Sequence, residues 1–194
     1  MNMPKRRPKK IVKTTDVAQR LRKALARRTK GDLIDVIVEL AKEDRTLLRS
    51  LDAQFDLKGS PQDLVAATRQ AIADATAFDE RDTNRNFSYD YAAYEEVKRN
   101  LTRLVEQGQL RLAMDLALEL MDQGSHQVEM SDEGLMSQDI EECLQVVIQA
   151  LKKCDLPPGD VAAWCAAMLK NDRVGCICDP EIKVLRKRFE TAQP

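Results

Sequence analysis

An all-α protein is the fold this chain predicts, and three features of its 194 residues carry the expectation. Hydrophobic residues make up 43% but aromatics only 4%, so the core has to be built from Leu, Val, Ile, Ala and Met, a mixture that suits helices better than strands. Apolar positions recur at three- and four-residue spacing along most of the chain. Only seven Gly and seven Pro interrupt it, which leaves long helices and few turns. Helices in antiparallel pairs with no convincing strand predict an α-solenoid-like stack or an irregular helical bundle.

Residues 1–13 hold Pro4 and Pro8 among charges and nothing to bury, so they are expected to be a disordered basic arm, followed by a single all-helical domain over 14–194. Thr14 or Thr15 can cap a first helix carrying Val17, Leu21, Ala24, Leu25 and Arg28, with Gly31 as its end. Asp32 is a plausible cap for the next, where Leu33, Ile34, Val36, Ile37, Val38, Leu40 and Ala41 leave few polar positions and predict burial on most of the surface. Asp44 can cap a shorter helix through Leu47, Leu48, Leu51 and Phe55.

The clearest start signal is Gly59-Ser60-Pro61 with Asp63 behind it, opening a helix with Leu64, Val65, Ala67, Thr68, Ala71, Ile72 and Ala75 as its apolar stripe. Residues 79–88 read as the main internal loop. Tyr89, Tyr91 and Tyr94 then open a long helix through Val97, Leu101, Leu104 and Val105 that stops at Gly108, and a second runs from about Leu110 to Met121 and stops at Gly124. Such a hairpin resembles one tetratricopeptide-type unit, although no second copy aligns with it. Asp122 to Gly134 is polar and reads as a loop. Ser137 is expected to cap a helix through Ile140, Leu144, Val147, Ile148 and Leu151, Pro157 and Pro158 start another with Val161, Trp164, Ala167, Met168 and Leu169, and a last helix spans Pro180 to Phe189.

Tyr89-Asp90-Tyr91-Ala92-Ala93-Tyr94, then Leu101, Leu104, Gly108 and Ala113 to Leu120, resembles the helical region that follows the zinc finger in bacterial SWIM-type zinc-finger proteins. The run Leu33 to Ala41 with Asp44, Leu47 and Leu48 is similar to that region's leucine-rich opening, and Ser131-Asp132-Glu133-Gly134 stands where members carry an acidic, glycine-containing turn. The resemblance covers about residues 30–170 and implies a helical scaffold. It does not carry the family's zinc binding across. That finger needs Cys-x-Cys followed by Cys-x-His, whereas here the one pair, Cys176 and Cys178, lies near the C-terminus and the sole histidine, His126, precedes it.

No motif assembles a catalytic site. Cys176 and Cys178 would need Cys165 or His126 to complete a tetrahedral metal site, and small thiols beside a turn at Gly175 are the simpler reading, so neither a metal nor a cofactor is expected. Cys143, Cys154 and Cys165 recur every eleven residues, but Pro157 and Pro158 break any helix that would align them. His126 has no Cys near it in sequence, and a single histidine in a polar stretch does not assemble a nucleophilic triad. The pairs Glu95–Glu96, Asp132–Glu133 and Glu141–Glu142 are sequence neighbours that point about 100° apart on a helix, which suits solvated surface. The glycines stand singly at helix ends and form no phosphate loop. The chain is therefore expected not to be an enzyme.

Charge is the most conspicuous pattern. Lys5, Arg6, Arg7, Lys9, Lys10, Lys13, Arg20, Arg22, Lys23, Arg27, Arg28 and Lys30 face Asp16 alone, so residues 1–30 carry +11 and the rest −12, within a formal net charge of −1. Lys5, Arg6, Arg7, Lys9, Lys10, Arg20, Arg22, Lys23, Arg27 and Arg28 can track nucleic-acid phosphates by charge, without the interleaved aromatics that stack on bases. They can equally solubilise the chain or fold onto an acidic face. The leading expectation is a non-enzymatic scaffold with a protein partner, with Tyr89, Tyr91 and Tyr94 as the candidate surface and nucleic acid as the alternative ligand. No apolar run reaches the roughly 18 residues of a membrane span, and five unframed cysteines fit a reducing compartment, so a cytoplasmic location is expected. Oligomeric state is left open.

Overall fold

The computed structural model describes residues 14–55, 59–79, 89–131 and 137–191. The expected arm, most of the 79–88 loop and the turn over 132–136 lie outside those residues. Among the described residues the chain is all-α, with nine helices and no strand. They fall into two compact units, 1–57 and 58–194, where one domain is predicted from residue 14 onward.

The first unit holds α1 (Thr14–Leu25), α2 (Lys30–Glu43) and α3 (Arg45–Phe55). α1 ends at Leu25, and Gly31 does not stop it. Thr29 decides the boundary: its Oγ1 accepts from the Asp32 amide at 3.1 Å while Asp32 Oδ2 accepts from the Thr29 amide at 3.1 Å. This reciprocal capping box starts α2 at Lys30, so Gly31 lies inside the helix and Asp32 is the partner of the cap, not the cap. Asp44 does cap α3, accepting from the amides of Thr46 at 2.9 Å and Leu47 at 3.1 Å.

α2 and α3 pack together, but α2 is not the buried helix its composition predicts. Only Ala41 is buried, and Ile34, Val36, Ile37, Val38 and Leu40 remain between 46% and 52% exposed. At about 100° per residue its apolar positions span an arc of roughly 200°. One neighbouring helix covers one side of such an arc and leaves the other open.

The second unit is a bundle of α4 (Pro61–Ala75), α5 (Tyr91–Glu106), α6 (Leu110–Met130), α7 (Gln138–Leu151), α8 (Pro158–Asn171) and α9 (Asp179–Glu190). α6 is central and packs against α4, α5, α7 and α8, while α9 closes on α8. The start of α4 is as predicted, with Ser60 and Asp63 forming a capping box ahead of Pro61. α5 ends on Gly108, whose φ of 73° lets the amides of Gly108 and Gln109 reach the carbonyls of Val105 and Leu104, a Schellman stop. Ser137 precedes α7, but its hydroxyl donates to Glu141 and makes no cap.

The largest departure is α6, which continues through Gly124 and the supposed loop to Met130. Gly124 is buried against α7: a Cβ there would stand 2.8 Å from Ile140 Cδ1. Two of the polar residues after it, Ser125 and Gln127, point inward and finish other helices. Ser125 Oγ donates to the carbonyl of Asn171, the last residue of α8, at 3.0 Å, and Gln127 Nε2 donates to the carbonyl of Ala75, the last of α4, at 2.9 Å. Helix ends leave such carbonyls without intrahelical donors, so the C-terminal third of α6 is polar because it supplies them. No buried side-chain nitrogen or oxygen among the described residues lacks a partner.

Candidate functional site

The three tyrosines do not form one surface. Tyr94 is 3% exposed, and its hydroxyl donates to Gln127 Oε1 at 2.8 Å inside the bundle. Tyr89 is half-buried, stands edge-on to Tyr94 with centroids 6.0 Å apart, and donates to Asp139 Oδ2 at 2.6 Å. Only Tyr91 is exposed, with its hydroxyl on Glu95 Oε1 at 3.1 Å. Tyr94 therefore belongs to the core and has no ring face to offer a partner. The hydrogen bond to Asp139 holds the Tyr89 phenol up at about 12.

The thiols are held in their protonated form. Burial pushes Cys143 and Cys178 up to about 12 and Cys165 to about 11, and it raises Cys176 as well. A nucleophile or metal ligand is prepared in the opposite direction. Cys176 is exposed while Cys178 is buried at φ 53°, so the pair does not converge on one point. Nearby, Asp172 accepts from the amides of Val174, Gly175 and Ile177 at 2.9–3.1 Å and shapes the turn itself. His126 lies exposed on α6, 3.7 Å from Glu129, rather than in a loop. Among the described residues no group of three or more His, Cys, Asp or Glu is placed to hold a metal.

These groups fix the response to alkali. A thiol or phenol raised by the fold stabilises the native state fully below its unfolded value, and that stability is lost as the unfolded chain ionises. Melting temperature is therefore expected to fall from about pH 9, where the thiols of the unfolded chain titrate, towards pH 12. Tyr89→Phe removes the phenol's share, so the fall above pH 10 becomes shallower; an unchanged profile above pH 10 would count against it.

The basic residues of the first unit are placed openly. Residues 17–32 are exposed throughout, and Arg20, Lys23 and Arg27 recur at three- and four-residue spacing along one side of α1 and its end, with Arg22 and Arg28 elsewhere on it. Lys5, Arg6, Arg7, Lys9 and Lys10 lie outside the described residues.

Apolar exposure is the feature that sets the first unit apart. Val17, Leu21 and Leu25 on α1, Ile34, Val36, Ile37, Val38 and Leu40 on α2, and Leu48 and Phe55 on α3 are all large and exposed, whereas the second unit exposes only Tyr91, Met130 and Val184 among its described residues. Ile37, Val38, Ala41, Leu48, Leu51 and Phe55, with Lys42 at the edge, line a groove of about 300 Å³ between α2 and α3. A soluble surface seldom leaves so contiguous an apolar patch without a binding role. The sequence carried the signal, since α2 is apolar over most of its circumference, but that pattern tells that something covers the helix and not that its own chain does.

A second groove, of about 410 Å³, lies between α6 and α8 over Met114, Leu118 and Trp164. Its rim is closed by an ion pair from Arg111 to Asp160 at 2.6 Å, and Trp164 Nε1 donates to the Met114 carbonyl at 2.9 Å. Its polar groups are thus already engaged with each other. No described helix is long and apolar enough to cross a membrane. Compared with known proteins, the chain matches no family model, no curated protein and no solved structure.

Proposed function

We propose that the chain is a non-enzymatic helical module that acts by binding protein through its first unit. One observation carries the reading: the ten exposed large apolar side chains of α1, α2 and α3, beside a second unit that buries nearly all of its own. Free cysteines fit a cytoplasmic site of action. A relationship to the helical region of SWIM-type zinc-finger proteins fits a scaffold role as well.

A photo-crosslinking amino acid placed at Val36, on the exposed apolar face of α2, tests it. Discrete protein adducts are expected from the intact chain in cell extract, at a yield well above that of the same probe at the solvent face of Lys183. Equal, diffuse labelling at both positions would sink the reading.

A second reading has its own support in the exposed cations Arg22, Lys23, Arg27 and Arg28. In it the basic segment and the arm contact nucleic-acid phosphates. Binding to a random-sequence duplex would then weaken steeply with salt, by a log–log slope of about −0.9 per phosphate contacted, and removal of residues 2–13 would flatten that slope. Absence of binding at low salt, or a slope indifferent to the deletion, excludes that role for the arm.

A further inference from the structure

Resting on the protein-binding reading, we infer that the partner of the first unit is a second copy of this chain, with α1 of each protomer laid antiparallel on the open face of α2 in the other. Two faces need covering and they match. On α1, Val17, Leu21 and Leu25 form an exposed apolar stripe; on α2, exposed Val36 and Leu40 with half-buried Leu33 form another, on the side that α3 does not occupy. Their spacings of three and four residues are those of helices that interlock side by side.

Charge decides the orientation. Arg20, Lys23 and Arg27 flank the α1 stripe on one side, and Asp32, Asp35, Glu39 and Glu43 flank the α2 stripe on the same rotational side. Same-side flanks meet only when two helices run antiparallel, so that arrangement sets the basic row on the acidic row, while a parallel one would separate them. Glu39 keeps Lys42 at 2.7 Å on its outer edge.

Size and economy point the same way. The α1 stripe and the open face of α2 are each used twice in the reciprocal contact, so the two copies bury four helix faces together. A unit of this length with Ala41 as its one buried hydrophobe among the described residues has no core of its own, and short units are commonly completed by association. The reciprocal contact is closed, since each protomer presents both faces once, and it yields a dimer without further growth.

Sedimentation of the full chain across the micromolar range tests this, and twice the 22.0 kDa chain mass is expected. Leu21→Glu and Val36→Arg, which oppose one another when the two stripes run antiparallel, are each expected to give monomers with the far-ultraviolet spectrum and tryptophan emission of the bundle unchanged, because both side chains are exposed. Mixing the two variants restores one of the two contacts and places Glu against Arg, so a heterodimer returns. Lys23→Glu weakens the dimer by about tenfold and Asp35→Lys, opposite it in the antiparallel register, restores it in the same chain. A chain monomeric at every concentration, or a dimer indifferent to Leu21→Glu, overturns the inference. If the chain is monomeric while the probe at Val36 still yields discrete adducts, the second copy is excluded and the binding module stands; if the adducts are missing too, both fall.

Discussion

Replacing Gln127 by leucine is expected to lower stability by about 3 kcal/mol, since it strands several buried groups at about 1–3 kcal/mol each. Gln127 accepts from the Tyr94 hydroxyl at 2.8 Å and donates to the carbonyls of Ala75 at 2.9 Å and Ala77 at 3.2 Å, so one side chain joins α5 and α6 to the end of α4. The leucine is apolar and similar in size, so the loss reads desolvated partners rather than a cavity. At about 3 °C per kcal/mol for a chain of this length, the melting temperature should drop by about 10 °C. Tyr94→Phe alone should cost about 1 kcal/mol, and the two together less than their sum, because each change removes the other's stranded group. Additive losses would show that the two residues act separately.

A comparable loss is expected at Gly124. A glycine inside a helix costs about 1 kcal/mol relative to alanine, so its presence in α6 needs a reason, and Ile140 supplies one. A Cβ at Gly124 would come 2.8 Å from Ile140 Cδ1 and 3.2 Å from Cγ1. Gly124→Leu forces α6 and α7 apart and should cost about 3 kcal/mol, at the upper end for overpacking. Gly124→Ala sets the propensity gain against the clash and should lose about 1 kcal/mol. Adding Ile140→Val removes the closest atom, so Gly124→Ala becomes favourable in that background, by urea unfolding. Equal effects of Gly124→Ala with Ile140 and with Val there would remove the steric explanation.

These two positions also show where the sequence was readable. Local signals were enough for the helices themselves: Ser60-Pro61 with Asp63, Asp44, Gly108 and Pro158 each mark a boundary through groups a few residues apart. Gly124, Ser125 and Gln127 look like a loop because their reasons are tertiary, in Ile140, Asn171 and Ala75, and nothing in sequence announces such partners. Thr29 was missed for a different cause, since Gly31 offered a familiar stop two residues later and drew attention from the capping box around it. The candidate site divided likewise. The tyrosine cluster was visible, but whether an aromatic packs or protrudes depends on a neighbour such as Gln127, which placed Tyr94 inside. The apolar arc of α2 was equally visible and was read as core, because periodicity counts the apolar positions and cannot tell which molecule meets them.

Trp164 is the chain's one tryptophan, and Tyr89, Tyr91 and Tyr94 are its only tyrosines, so every strong ultraviolet chromophore lies in the second unit. The indole sits 4% exposed with its N–H on the Met114 carbonyl, and its emission should be blue-shifted and should move to the red when α6 and α8 part. The first unit contributes no such signal. Fluorescence-detected unfolding therefore watches the bundle alone, whereas circular dichroism at 222 nm follows helices in both. A melting curve in which the dichroic signal decays before the emission shifts would record the first unit coming apart on its own, visible as a gap between two optical traces of one sample.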